Sequence, residues 1–298
     1  MDWSGLAAGE LRLTFDILFG LLIGFAVLKS GVADKLMRRL VPYLSKAGIC
    51  PSLGMALTLS LGSAKAGAAF VASALDNGRI SRRSAKWGTL LLSFPAYLHR
   101  WPSTMVMAAS MAGLSGAIFA AILLLRSAAR FALIIFILRR ENAGDDVAAA
   151  SPPECEAKAV RFNMRLLRSL PLAWLFFAIA YLLVPQAESF IKQWLLAGSA
   201  LPLAALAVAA ASMAHVSAAL ALAGGSLAAG ELSVAQAVFA LLLGNGLGVV
   251  TRVFRSNAGY YFGIFSGDMA KELLFWNIVT TSFFAVLSIV IAALPLLL

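Results

Sequence analysis

Long apolar runs alternate along this chain with short apolar runs that small or polar residues interrupt. The long runs cover residues 11–29, 103–125, 169–185 and 268–296. Each is close to or above the roughly 20 residues that a helix needs to cross the hydrocarbon core of a bilayer. The pattern therefore predicts membrane-spanning helices in these four segments.

The short runs come in pairs around a polar break. In the first half PSLGMALTLSLG is followed by SAKAG and AAFVASAL, and in the second half LPLAALAVAAA is followed by SMAHVS and AALALAGGSLAAG. Pieces of about 10–12 residues extend roughly 15–18 Å as helices, which is half the thickness of a bilayer. We therefore expect two re-entrant helical hairpins, at about 51–76 and about 202–229, with their tips near the midplane.

A helix that breaks is predicted after each hairpin. Ser81 and Ser233 have the residue type and the position of N-caps for the apolar runs that follow them. The first run meets SFPAYLHRWPST, in which two prolines each remove a backbone donor. The second meets GNGLGVVTRVFRS, in which glycines permit unwinding. The broken helices are expected at about 81–125 and about 233–265.

The two sets of elements are copies at one fixed offset. Residues 62–100 align with residues 214–252 without a gap, and the matches include the pairs Gly78/Gly230, Ser81/Ser233 and Arg100/Arg252. Matches of Leu and Ala are expected in so apolar a chain, but a recurring Gly-x-x-Ser turn and arginine are not. Internal duplication in a polytopic membrane protein is typical of transporters built from two related halves.

Basic residues predict how the copies are oriented. Residues 29–86 contain ten Lys or Arg, and the matching residues 181–238 contain only Lys192. Because positive charge accumulates on the cytoplasmic side, the copies are expected to be inverted relative to each other. The chain then divides into repeats at 1–138 and 161–298, joined by a polar cytoplasmic linker at 139–160, with both termini outside.

Composition agrees with a membrane protein. Hydrophobic residues make up 61% of the 298 positions, charged residues 13%, and the mean hydropathy is +0.88. The lipid bilayer is thus one expected partner, and the net charge of +10 is explained by the positive-inside bias without a nucleic-acid partner. The fold class expected is an all-α polytopic membrane protein. Self-association into a homo-oligomer is compatible with the sequence.

A small-residue hairpin tip, the Gly-x-x-Ser turn and a broken helix, all duplicated, resemble the nucleoside-recognition (Gate) domain family. They are also similar to the transport core of concentrative nucleoside transporters. The resemblance covers about 50–138 and 200–290 and implies a permease of a bacterial cytoplasmic (inner) membrane, with polar groups on the hairpins and broken helices. It implies these substrate-binding positions: Ser63, Lys65, Ser93, Arg100, His215, Ser217, Asn245 and Arg252. No acidic residue is among them, which argues against a nucleoside substrate and against sodium coupling.

Cations dominate the predicted site. Lys65 and His215 fall at the hairpin tips, His99 and Arg100 on one broken helix, and Arg252 on the other. A charge near the bilayer centre costs about 2.5–3.5 kcal/mol and usually faces a cavity or a partner. The hypothesis is a small anion, such as a carboxylate or phosphate, held by bidentate contacts from the two arginines. Three alternatives stay open: Arg100 at a helix end in contact with headgroups, His215 as a structural histidine, and Asn245 as a turn residue.

The function expected is a secondary transporter of a small polar, anionic metabolite, with a midplane site between inverted repeats. A Gate-fold membrane scaffold or assembly factor and a nucleoside permease are the alternatives. The chain has no catalytic cluster, and Cys50 and Cys155 do not form a metal-ligand set. We therefore expect neither an enzyme nor a cofactor or metal.

Overall fold

The structure is a computed structural model that describes residues 49–142 and 201–297, together with single positions at 11, 14, 171, 174, 175, 178, 186, 189, 190 and 193. The described residues are almost entirely α-helical, and no strand occurs among them. Most of the predicted spans 11–29 and 169–185, and residues 143–160 of the predicted linker, lie outside this range.

Nine α-helices occupy the described ranges. The first range contains α1 (Pro51–Gly62), α2 (Ala64–Asp76), α3 (Arg82–Leu91) and α4 (Ser93–Asn142). The second contains α5 (Leu203–Ala214), α6 (Val216–Ala228), α7 (Val234–Leu247), α8 (Val249–Ile264) and α9 (Gly267–Leu297). Because α4 reaches Asn142, the first four residues of the predicted linker are helical.

Some of these helices have the length and composition of membrane spans. The segment 82–140, which contains α3 and most of α4, and the helix α9 are long and apolar enough to cross a bilayer. The helices α7 and α8 pass the same test together, with a bend of 46° at their junction. The described part of the chain therefore has the helices of an all-α membrane protein.

The chain divides into two compact units, each made of three separate stretches. Unit 1 contains residues 1–97, 131–178 and 257–273, and unit 2 contains residues 98–130, 179–256 and 274–298. In unit 1, the helices α1, α2 and α3 pack against one another. In unit 2, the helices α5, α6 and α7 do the same. Each unit thus has a cluster of three short helices with the same order along the chain.

A single extended residue joins the two short helices of each cluster. Ser63 has φ −156° and ψ 121° between α1 and α2, and His215 has φ −141° and ψ 109° between α5 and α6. In both cases the N–H of this extended residue donates to a backbone carbonyl in the last turn of the preceding helix. Its own carbonyl accepts from a backbone N–H near the start of the next helix. The polypeptide therefore turns from one helix into the other without a loop.

Identical turns follow the second helix of each pair. Gly78 and Gly230 have φ angles of 66° and 73°, in the left-handed region that favours glycine. The next residue donates to the carbonyl of Ala74 in one turn and of Ser226 in the other, both at 2.9 Å. Duplicated glycines in the sequence thus correspond to duplicated backbone geometry.

The N-cap predictions are confirmed. The Ser81 hydroxyl accepts from the N–H of Ser84 at 3.1 Å, and the Ser233 hydroxyl accepts from the N–H of Gln236 at 3.2 Å. The Gln236 side chain also accepts from the Ser233 N–H at 2.9 Å, which completes a capping box. These bonds fix where α3 and α7 begin.

Breaks follow in the helices after each capped start. The first break is at Leu92, between α3 and α4, and the second is at Gly248, between α7 and α8. Pro102 lies inside α4, whose non-helical dihedral angles are at Ala112 (φ −128°) and Gly113 (φ 56°). The strongest backbone distortion in this segment is therefore eleven residues beyond Pro102, at a glycine that can adopt positive φ.

Close approach of α7 to α5 yields a stability prediction. A Cβ at Gly244 would collide with the carbonyl oxygen of Ala209 and lie 2.8 Å from the Cβ of Ser212. Overpacking of this kind costs about 1–3 kcal/mol, so Gly244→Ala is expected to lower the unfolding midpoint in detergent. Gly225→Ala is the matched control because a Cβ there has no neighbour within 4 Å. The measurement is scanning fluorimetry, and unfolding of both variants at the wild-type temperature would contradict the close contact between α5 and α7 at Gly244.

Candidate functional site

The predicted site residues are divided between the two units. Ser63, Lys65 and Ser93 belong to unit 1, whereas the other six belong to unit 2. Lys65 is half-buried in the first turn of α2. Ser63 is the N-cap of α2, and its hydroxyl accepts from the N–H of Ala66 at 3.4 Å. Ser93 is exposed at the start of α4, with its hydroxyl donating to the carbonyl of Leu90 at 3.0 Å.

In unit 2, four of the predicted residues have exposed side chains. His215 and Ser217 are exposed at the start of α6, and His99 and Arg100 are exposed near the start of α4. The backbone carbonyl of Arg100 accepts from the hydroxyls of Ser103 and Thr104. The remaining predicted residues, Asn245 and Arg252, are brought together.

Asn245 and Arg252 lie on opposite sides of the α7–α8 break. Asn245 is in the last turn of α7 and is 4% exposed, and Arg252 is half-buried in the first turn of α8. The Nη2 atom of Arg252 donates to the backbone carbonyl of Asn245. At the break itself, Gly248 donates its N–H back to the carbonyl of Gly244 at 3.0 Å. The arginine therefore satisfies a carbonyl at the end of a helix.

A second arginine, which the sequence analysis did not select, reaches the same residue. Arg126 of α4 donates from Nη2 to the Oδ1 of Asn245 at 3.0 Å. Its guanidinium is partly enclosed, with the Nη1 atom buried. We call Arg126, Asn245 and Arg252 the arginine cluster. Two guanidinium groups thus converge on two oxygen atoms of one buried asparagine.

One turn further along α4, Arg130 makes a similar set of contacts to α9. Its Nε donates to the Oγ1 of Thr280 at 3.0 Å, and its Nη2 donates to the Oδ1 of Asn277 at 2.7 Å. The hydroxyl of Thr281 also donates to Oδ1 of Asn277, at 3.3 Å. Asn277 and Thr280 are 5% and 6% exposed. Buried amide and hydroxyl groups therefore hold the plane of this guanidinium.

The charge of unit 2 is strongly positive by sequence. Its basic residues are Arg100, Arg126, Arg130, Lys192, Arg252 and Arg255, and its acidic residues are Glu188 and Glu231. Glu231 is exposed in the turn before α7, and Glu188 lies outside the described residues. The oxygens that accept hydrogen bonds from Arg126, Arg130 and Arg252 include two amide side-chain oxygens, a hydroxyl and a backbone carbonyl.

Arginines in such surroundings are suited to binding oxyanions. A guanidinium has five N–H donors in a planar fork, so it can hold a protein oxygen and a ligand oxygen at once. Partial burial strengthens the attraction because water screens it less. Within the described ranges, no three His, Cys, Asp or Glu side chains are grouped to hold a metal ion.

The sequence offered one signal that would have identified Arg126 and Arg130. They are spaced i and i+4, which places both side chains on one face of a helix, and the residues between them are small or apolar. Their partners lie more than a hundred residues away in the chain, so no local pattern indicated what they contact.

Comparisons of this chain with protein-family profiles, with curated protein sequences and with solved structures give no match.

Proposed function

We propose that the protein is a secondary transporter of a small oxyanion, with the arginine cluster as its substrate-binding site. The membrane in question is a bacterial cytoplasmic membrane, which the chain crosses several times. The observation that carries the proposal is the convergence of Arg126 and Arg252 on Asn245 at the break between α7 and α8. Arg126 takes the role in anion binding that the sequence pattern predicted for Arg100.

Duplicated local structure supports a transporter architecture. Pairs of 12-residue and 13-residue helices joined by one extended residue occur in both halves, and each helix is roughly half a bilayer long at 1.5 Å per residue. Together with the contrast in basic residues, this favours two inverted repeats with re-entrant hairpins. Transporters built from such repeats bind their substrates where helices are interrupted near the midplane.

Helix ends near the site add a further attraction for anions. The N-terminus of α8 carries a partial positive charge from its aligned peptide dipoles, and Arg252 is in its first turn. A substrate carboxylate or phosphate could take hydrogen bonds from both arginines while Asn245 holds their positions. Polar backbone at a helix break is tolerated in a membrane only where it lines protein or a water-filled cavity.

A thermal-unfolding screen of the detergent-purified protein tests this proposal. The ligands are phosphate, sulfate, small carboxylates, nucleotides and uncharged nucleosides, each with wild type, Arg126→Gln and Arg252→Gln. We expect at least one oxyanion to raise the unfolding midpoint of wild type and of neither variant, because binding to the folded state stabilises it. Arg255→Gln is the matched control, since it removes one charge from an exposed position of α8.

Other outcomes distinguish the competing functions. Stabilisation by uncharged nucleosides that both glutamine variants retain would favour a nucleoside permease. Equal anion stabilisation of wild type and the Arg126 and Arg252 variants would place the anion elsewhere. If no ligand shifts the wild-type midpoint, the transporter proposal fails and a membrane scaffold or assembly factor becomes the better explanation.

A further inference from the structure

The helix α4 reverses direction at its distortion, Ala112–Gly113. The indole Nε1 of Trp101 donates to the backbone carbonyl of Ala120 at 3.0 Å, although the two residues are 19 apart in the chain and would be separated by roughly 28 Å in a straight helix. Further from the distortion, the rings of Phe94 and Phe131 lie 4.7 Å apart. The two arms of α4 are therefore antiparallel, and its last residues return to the level at which α3 begins.

This reversal collects exposed basic residues at one level of unit 1. Arg79 lies in the turn before α3, and Arg82 and Arg83 are the first residues of that helix. Arg139 and Arg140 are in the last turn of α4. All five side chains are exposed, and all five residues belong to unit 1. We call them the basic rim.

The positive charge of unit 1 exceeds what its own acidic residues can balance. By sequence, unit 1 contains 18 basic and 12 acidic residues, and the whole chain has a net charge of +10. One member of the basic rim, Arg82, is paired with Glu272 of α9, with 2.8 Å between Nη2 and Oε1. Pairs of this kind exhaust the acidic residues before the basic ones, so anions from outside the chain must balance the excess.

An exposed apolar side chain adjoins the basic rim on α4. Phe136 is 62% exposed and precedes Arg140 by four residues, so the two side chains are neighbours on one face of the helix. The segment 82–140 is long and apolar enough to cross a bilayer, which places basic residues at its ends at the depth of the lipid headgroups. A ligand with an anionic head and apolar tails matches this arrangement.

We propose that the basic rim is a binding surface for anionic phospholipids. The phosphate groups accept hydrogen bonds from the guanidinium groups, whose planar forks suit phosphate oxygens, and an acyl chain packs against Phe136. Each basic side chain near an anionic membrane surface adds to the attraction. Because the surface belongs to unit 1 and the arginine cluster to unit 2, this proposal holds or fails independently of the proposed transport function.

Native mass spectrometry of the full chain, with phosphatidylglycerol and phosphatidylcholine of identical acyl chains in equal amounts, tests the proposal. Wild type is expected to retain phosphatidylglycerol at least about fivefold more often than phosphatidylcholine. In the combined variant Arg79→Gln, Arg83→Gln and Arg140→Gln, this ratio should fall below about twofold because three charges of the surface are removed. Arg82 is left unchanged because it is paired with Glu272.

Two controls separate charge from other effects. The same three positions substituted by lysine keep the charges, so this variant should retain at least about half of the wild-type ratio. Arg255→Gln removes one charge from an exposed position of unit 2 and should leave the ratio unchanged. A lysine variant that falls as far as the glutamine variant would show that charge is not the cause, and would overturn the proposal.

Other outcomes also overturn it. A wild-type ratio below fivefold, or a ratio above twofold in the glutamine variant, would show that the basic rim does not select anionic lipids. Displacement of the lipid by excess sn-glycerol 3-phosphate would assign the surface to a soluble phosphate, and binding of polyglutamate without any lipid preference would assign it to an acidic protein. If the combined glutamine variant does not fold, the three single variants decide: the product of their reductions must reach about threefold, and a smaller product overturns the proposal.

Discussion

Proteoliposomes that contain Arg126→Gln are expected to take up the stabilising anion at least ~100-fold more slowly than wild type. Arg126 supplies a charge-assisted hydrogen bond, and such bonds are worth about 1.5–3 kcal/mol each. Two bonds to one carboxylate therefore contribute roughly a hundredfold or more in affinity at 1.4 kcal/mol per tenfold change. Arg252→Gln should cause a loss of similar size, because the two arginines act on the same ligand. The measurement is initial uptake of the radiolabelled anion.

The controls separate loss of charge from loss of fold. Arg255→Gln should transport at close to the wild-type rate, since Arg255 is exposed and lies outside the arginine cluster. Arg126→Lys keeps the charge without the bidentate geometry, so an intermediate rate is expected. Uptake by Arg126→Gln at the wild-type rate, with normal reconstitution, would rule out the arginine cluster as the substrate site.

Cysteines introduced at Asn77 and Ala229 are expected to be accessible from opposite sides of the membrane. These residues end α2 and α6 at equivalent positions, before Gly78 and Gly230, and both are exposed. Because basic residues are concentrated around the first turn, Asn77→Cys should be cytoplasmic and Ala229→Cys external. An impermeant maleimide should label Ala229→Cys in intact cells, and Asn77→Cys only after permeabilisation.

The background for this labelling is a variant in which Cys50 and Cys155 are replaced by alanine. Without an introduced cysteine, that variant should remain unlabelled on both sides. Labelling of both positions from the outside, or of neither, would show that the two turns share one face. The repeats would then be parallel, and the inverted architecture would have to be abandoned.

Local features of this fold could be predicted from the sequence because their causes are local. A serine at an N-cap and a glycine in a turn act on residues within one helical turn, so Ser81, Ser233, Gly78 and Gly230 were identifiable without tertiary information. The single extended residues at Ser63 and His215 lie within polar breaks between apolar runs of matched length. Each of these elements is determined by hydrogen bonds to near neighbours.

The distortion at Ala112–Gly113 and the contacts of Arg126 and Arg130 have long-range causes. Prolines were the obvious breakers, yet Pro102 lies inside α4 and Gly113 carries the positive φ. Arg126 follows a long apolar run directly, a position at which arginine commonly marks the end of a span. Its hydrogen-bond partner in the structure is Asn245, 119 residues later in the chain. Such a pairing depends on how helices pack, which a single sequence does not specify.

The discontinuous composition of unit 2 has a consequence for biosynthesis. Its three stretches include Leu98–Arg130 and Leu274–Leu298, so the first is made long before the last. Arg126 and Arg130 of α4 are therefore synthesised before their hydrogen-bond partners, which are Asn245 in α7 and Asn277 and Thr280 in α9. Since α7 and α9 follow α4 in the chain, these polar contacts can form only once both later helices have been made, and until then the two charges need other polar partners such as water or lipid headgroups.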